Sequence, residues 1–173
     1  MLFRKIKMKI LTTSAMLALL MCNQSNAASS IEDLLTPFAR SSVNKVFPEG
    51  VPRCTSEDLQ ELEAKLNLRI PFELVSFYRN YAHVGFTCFE VVLPQTIFHE
   101  HTIKTINQAW EHGISKDFLP FCRDGSDYYC IHLETGQVRF WSHDLETFSD
   151  NPNDMWNSFN EWVVNDWIRL MRE

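Results

Sequence analysis

Residues 118–144, FLPFCRDGSDYYCIHLETGQVRFWSHD, decide how the chain folds. Two turn signals, Asp124-Gly125-Ser126-Asp127 and Glu134-Thr135-Gly136-Gln137, divide three runs rich in aromatic and β-branched residues. Runs of this kind, with partial alternation, are the pattern of strands. The stretch therefore predicts three consecutive antiparallel strands over 118–123, 128–133 and 137–142. Gly125 and Gly136 supply the positive φ that tight hairpin loops need. Side chains alternate across a strand, so Tyr128, Cys130 and His132 share one face while Tyr129, Ile131 and Leu133 share the other. The second set is more apolar and is the expected core face. Val138, Phe140 and Ser142 alternate with Arg139, Trp141 and His143 in the same way. No nucleophile elbow or phosphate loop lies in this stretch, so function has to be sought in what the sheet displays.

Working outward, Thr55-Ser56-Glu57-Asp58 opens a helix, with Thr55 or Ser56 as cap and an acid in the first turn. Leu59, Leu62 and Leu66 keep helical spacing. Ile70-Pro71 ends the helix, because the residue before proline is pushed out of the helical region. Pro71 suits the first position of a second helix, where Phe72, Leu74, Val75, Phe77, Tyr78 and Tyr81 predict a broad apolar face closed by Gly85. Residues 86–93 read as a strand stopped by Pro94. Ile103, Ile106 and Trp110 indicate a helix over the second half of 96–110, ended by Glu111-His112-Gly113. Downstream, 145–154 reads as loop, and 155–171 as one helix carrying Trp156, Phe159, Trp162, Trp167 and Ile168. The fold class is α+β: a mostly antiparallel sheet with a central meander and helices packed against it.

The 173 residues suit one domain. The formal net charge of −6 conceals a division, because Arg4, Lys5, Lys7 and Lys9 lie in the first ten residues. Without those four, 12 basic residues face 22 acidic ones, a net of −10. An acidic body repels nucleic acid and favours a basic partner. The division has a cause in the N-terminus. A cationic segment over 3–9 precedes an apolar one over 10–21, and Ser25-Asn26-Ala27 places small residues for cleavage after Ala27. The apolar segment is short against the ~20 residues of a membrane span. Residues 1–27 are therefore expected to be a signal peptide, starting from Met1 or Met8, with the mature protein periplasmic or secreted and without a stable membrane span. Cys22, preceded by the bulky Met21, fits a lipoprotein site poorly. Residues 28–54 follow as an N-terminal helix, opened by Ser29-Ser30-Ile31-Glu32-Asp33, and a loop. Residues 55–173 form the main domain.

Export changes how the cysteines read. Cys54, Cys88, Cys122 and Cys130 are an even number in an oxidising compartment and are disulfide candidates. Cys122 and Cys130 stand at equal distances from Ser126, which suggests a bridge across the hairpin and leaves Cys54 with Cys88. Buried free thiols are the alternative.

Four segments, taken in order, carry a family resemblance. They are Leu59…Glu63…Leu68-Arg69-Ile70-Pro71…Phe77-Tyr78, then Phe121 to Ile131 around the first turn, then Gly136 to His143, then Ser158-Phe159-Asn160-Glu161-Trp162. Together they resemble the SUKH superfamily, which includes yeast cell-wall-assembly regulators and bacterial immunity proteins that neutralise toxins. The resemblance spans about 55–170. It implies a protein-binding module with an α+β fold and no catalytic residues, cofactor or metal. The first turn is less glycine-rich than the family's usual one, and Tyr81 to Gly85 replaces an Asn-Gly-Gly-like turn. A signal peptide would also place the partner of an immunity protein in the envelope instead of the cytosol.

Residue chemistry points the same way. His99-Glu100-His101, near His112, has metal-ligating side chains, but rings two apart on a helix diverge and no His-Glu-x-x-His is present. Asp124 and Asp127 sit in a turn, where aspartates bond to backbone. His143-Asp144 near serines is not a triad without triad geometry. The expected partner surface is Asp124, Ser126, Asp127, Tyr128, Trp141, His143 and Asp144, acidic residues beside aromatics that anchor interfaces. The partner expected is a protein, with a toxin as the specific case. An envelope scaffold or regulator, and less favourably an envelope hydrolase, are the alternatives.

Overall fold

A computed structural model describes residues 33, 35, 36, 52–81 and 89–170. The signal-peptide reading, Cys22, Cys88, the closing turn at Gly85 and most of 28–51 lie outside the described residues. Asp33, Leu35 and Thr36 are helical, and Leu35 is fully buried in the main core.

Helix α1 (Ser56–Leu66) begins as its sequence requires. Thr55 Oγ1 accepts the Asp58 N–H at 3.1 Å, and Asp58 Oδ2 accepts the Thr55 N–H at 2.8 Å, a reciprocal capping box. Asn67, at φ 52°, turns the chain out of the helix. Helix α2 (Phe72–Tyr81) buries Leu74, Phe77, Tyr78 and Tyr81. Phe72 departs from the expected apolar face: it stands 81% exposed at the first turn.

The strands β1 (Glu90–Val91), β2 (Phe118–Asp124), β3 (Asp127–His132), β4 (Val138–Ser142), β5 (Thr147–Phe148) and β6 (Met155–Trp156) form one antiparallel sheet in the order β1-β2-β3-β4-β5. β5 pairs with Trp141 and Ser142, and β6 with Val138 and Arg139, so the two short strands share the outer edge of β4. The central meander is the one expected, within a residue or so at each end. Its first loop is Gly125-Ser126, with φ positive at Gly125 alone, as a type II′ hairpin turn demands. β6 corrects the sequence reading. Met155 and Trp156 belong to the sheet, and the C-terminal helix starts only at Phe159, where Ser158 Oγ accepts the Glu161 N–H.

Register decides the cysteines. β2 pairs Pro120 with Cys130 but Cys122 with Tyr129, so Phe121 is an extra residue, a β-bulge. Proline inside a strand lacks a ladder donor and is placed at such irregularities. The bulge reverses the faces beyond it. Cys122 joins the main core and Cys130 the opposite face, so the expected Cys122–Cys130 bridge is not formed. Cys54 and Cys130 are buried free thiols. Burial raises both, Cys54 to about 12 with the Asp58 charge adding to it, so neither supplies a thiolate near neutral pH.

Both faces of the sheet are covered. The expected face, with Tyr129 and Ile131, meets α1, α2 and the C-terminal segments α4 (Phe159–Trp162), a π-helical turn (Val163–Trp167) and α5 (Ile168–Leu170). Trp162 packs against Phe121, Tyr129 and Trp167, at ring distances of 4.9, 5.2 and 5.2 Å. Trp162 and Trp167 are five apart, which at ~100° per residue places them far from one face of an α-helix. The π turn, closed by the Ile168 N–H on the Val163 carbonyl, lets both be buried. The other face, with Tyr128, Cys130 and Trp141, is covered by Ala109 and Ile114 at the end of α3 (His99–Glu111). Trp110 fastens that helix to the sheet, its Nε1–H donating to the Phe118 carbonyl at 2.9 Å.

Candidate functional site

An antiparallel meander brings alternate turns to the same end of a sheet. β2–β3 turns at Asp124–Asp127, and β4 ends beside it at Ser142. The two ends are joined directly: Asp127 Oδ1 accepts the His143 N–H at 2.7 Å. The chain then turns through His143, Asp144, Leu145 and Glu146, with the Glu146 N–H on the His143 carbonyl at 3.3 Å and Glu146 at φ 50°. Leu145 is left 70% exposed between two acids. His112, after α3, adds to this end, its ring 5.4 Å from that of His143.

The expected partner residues are therefore gathered, in two layers. Asp124, Ser126, His143 and Asp144 are exposed and Asp127 is half-buried. Tyr128 and Trp141 are directly cross-strand, 5% and 1% exposed, with ring centres 6.0 Å apart. That corrects their expected role as contact residues: they lie under α3 and support the turns from within. The same turn displays Leu145 and Glu146, outside the expected set, although an apolar residue between acids in a polar loop is a visible sequence signal. Arg123 lies at this end too, but it is held by Glu90 at 3.4 Å, the Gly125 carbonyl at 3.0 Å and the ring of Tyr128. The surface presented is acidic with one apolar point, which suits a basic macromolecular partner.

The chemical candidates are dispersed or already engaged. His99 is buried, with Nε2 donating to the Pro94 carbonyl at 2.6 Å and Nδ1 3.7 Å from Glu61, while His101 is exposed. Among the described residues no group of three His, Cys, Asp or Glu side chains is placed to hold a metal ion. A concavity of about 460 Å³ beside the C-terminal helix is lined by Trp156, Glu161, Asp166 and Arg169 among others. Glu161 there accepts from the Asn157 backbone N–H at 2.7 Å. Burial raises the Asp166 carboxyl, against hydrogen bonds from Arg169 and Tyr129. Both carboxyls are committed to holding the fold.

A second carboxylate, in α1, is strongly tuned. Partial burial works against ionising Asp58, but hydrogen bonds from Thr96 and Thr55 outweigh it and pull the carboxyl down to about 2. Asp58 Oδ1 accepts the Thr96 N–H at 2.8 Å, so it ties the start of α1 to the turn that precedes α3. Its role is structural.

No helix among the described residues is long and apolar enough to cross a membrane. A family model described as SMI1-KNR4 cell-wall, SUKH_5, matches residues 30–168. Comparison with curated proteins gives no match. Among solved structures, the chain is similar to a protein from Pseudomonas syringae pv. tomato, with 26% identity and a TM-score of 0.63, over 79% of this chain and 98% of that one.

Proposed function

The chain belongs to the SUKH superfamily, whose members generally bind protein partners without catalysis, and from that premise we propose that it is an exported, non-enzymatic immunity protein that neutralises a basic toxin acting in the envelope. The observation that carries this reading is the joined pair of turns. Asp127 holds His143, so that the turn carrying Asp124 and the turn carrying Asp144, an exposed Leu145 and Glu146 are tied together at one end of a sheet covered on both faces. A rigid support limits the ordering cost of binding, and acids around an apolar anchor speed encounter with a basic surface while fixing its register. Export rests on the cationic and apolar segments of residues 3–21 and the small residues before Ala28.

The test has two parts. Fractionation and N-terminal sequencing should find a mature chain beginning at Ala28 outside the cytoplasm; a full-length cytoplasmic protein removes the envelope setting. Co-expression with the products of adjacent genes, directed to the periplasm, should retain one partner and relieve its toxicity. Asp124→Lys with Asp144→Lys should abolish both effects. Protection that survives the double reversal would place the partner elsewhere on the molecule. The cell-wall description of the matching family favours a second reading, a regulator of envelope assembly with no toxin. Altered cell shape on deletion, in the absence of any toxic neighbour, would select it.

A further inference from the structure

At α1 and α2 lies a groove that the proposed toxin contact does not use. It is about 300 Å³ in volume, with Leu59, Ile70, Val75 and the exposed Phe72 among its lining, and with Arg69 and Arg79 at its borders. An aromatic ring 81% exposed beside an apolar depression leaves apolar area that a partner surface would remove from water. The charge here is unlike that of the rest of the molecule. The Arg69 side chain is 91% exposed and pairs with Glu63, its Nη1–H donating to Oε2 at 3.3 Å, which leaves the rest of the guanidinium facing outward. Arg79 is exposed, its guanidinium donating to Ser56 Oγ at 3.0 Å. Glu63, the carboxylate lining the groove, is mostly covered and already accepts the Ile70 N–H at 2.8 Å. Glu73 stands about 100° around its helix from Phe72, and Glu57 about 60° from the lining Gln60, at the edge of the groove. An acidic protein thus presents here a groove of mixed lining, with Ser56, Gln60 and Glu63 beside its apolar residues, that carries the exposed Phe72 and two guanidinium groups.

The complement of that groove is an apolar side chain flanked by carboxylates, and this chain displays one: Asp144-Leu145-Glu146, with all three residues exposed and Glu146 held in the left-handed region. We infer that the groove between α1 and α2 receives the β4–β5 turn of a second copy, with Leu145 against Phe72 and Val75, and Asp144 and Glu146 against Arg69 and Arg79. The two surfaces are different patches, so the contact is head-to-tail and extends to rings or short chains instead of closing as a two-fold dimer. A three-residue turn buries little area, so the association is weak and salt-sensitive. It also covers the acidic end, so self-association and the proposed partner compete for the same turn.

Sedimentation equilibrium of the purified protein tests the inference without knowledge of any partner. The weight-average mass should rise with protein concentration at low ionic strength and fall back to the monomer value in high salt. R69E/R79E alone, and D144R/E146R alone, should each weaken association about tenfold or more, equivalent to ~1.4 kcal/mol. Mixing the two reversed proteins should restore it, because each then carries the complement of the other. Phe72→Asp, a change at an exposed position, should also remove it with the circular dichroism spectrum unchanged. A monomer at every concentration, association indifferent to the reversals, or losses that mixing does not restore would each overturn the head-to-tail contact. R69E/R79E and Phe72→Asp leave the acidic turn intact, so loss of association in these variants with toxin protection retained separates the two proposals.

Discussion

The two faces of the sheet are both covered, yet they are built differently. One is filled by interlocking aromatic rings from α2, β2, β3 and the C-terminal helix, with Trp162 and Phe77 each touching several others. The other is smaller: among the described residues it buries Ala109, Ile114, Tyr128, Cys130 and Trp141, with Trp110, Phe118 and Phe148 half-buried against them. The first holds the domain together. The second reaches toward the acidic turns, with the Trp141 ring 6.1 Å from that of His143. Aromatic residues therefore do different work according to the face they occupy, and their chemistry alone does not separate surface exposure from support.

Substitutions can break this contrast. Trp162→Ala should be the most damaging, lowering unfolding free energy by about 3–5 kcal/mol toward the upper end of that range. For a domain whose whole stability is ~5–15 kcal/mol, that loss is about a third or more of the total, and the urea midpoint should fall well below that of wild type. Trp141→Ala should cost less, about 3 kcal/mol, since a smaller layer relaxes more readily into the vacated space. It should also loosen the turns, so that amide exchange rises at His143 and Leu145 before the rest of the sheet. Equal costs for the two tryptophans would remove the distinction between the faces.

Asp58→Asn comes next, at about 1–2 kcal/mol near neutral pH, because it weakens both the capping box and the tie to Thr96. The pH dependence has a definite sign. The folded carboxyl titrates at about 2, below its ordinary 3.8, so its contribution is complete above the ordinary value and is lost as pH falls through about 2. The difference between wild type and Asp58→Asn should accordingly shrink across that window; a difference constant to pH 2 would show that the charge is not what stabilises. Asp144→Lys should be the mildest, within about 0.5 kcal/mol of wild type in stability. A larger loss would mean that the acidic end is part of the fold, not a surface offered to a partner.

Much of this was legible in local chemistry. Gly125 and Gly136 marked the turns of the meander, and both have positive φ. Thr55 and Asp58 announced the capping box. Tyr129 and Ile131 identified the face of the main core. The acidic turns were visible as a candidate site, and the order of motifs already carried the family. Other features escaped for reasons that can be stated. Met155 and Trp156 continue a helix-like apolar pattern, and only the free edge of β4 makes a strand of them. The bulge at Phe121 leaves no period in the sequence, but it reverses the face of Cys122.

The sequence by itself determined where the chain turns, which helices are capped and which strand face is the most apolar, because backbone sterics and local hydrogen bonds act over a few residues. Only the tertiary structure decided that the second face is covered too, that Tyr128 and Trp141 are buried beneath that cover, and that Leu145 is exposed in the turn after β4. Those outcomes depend on which surfaces meet at long range, where burial and register are settled by the whole fold and not by any one stretch of it.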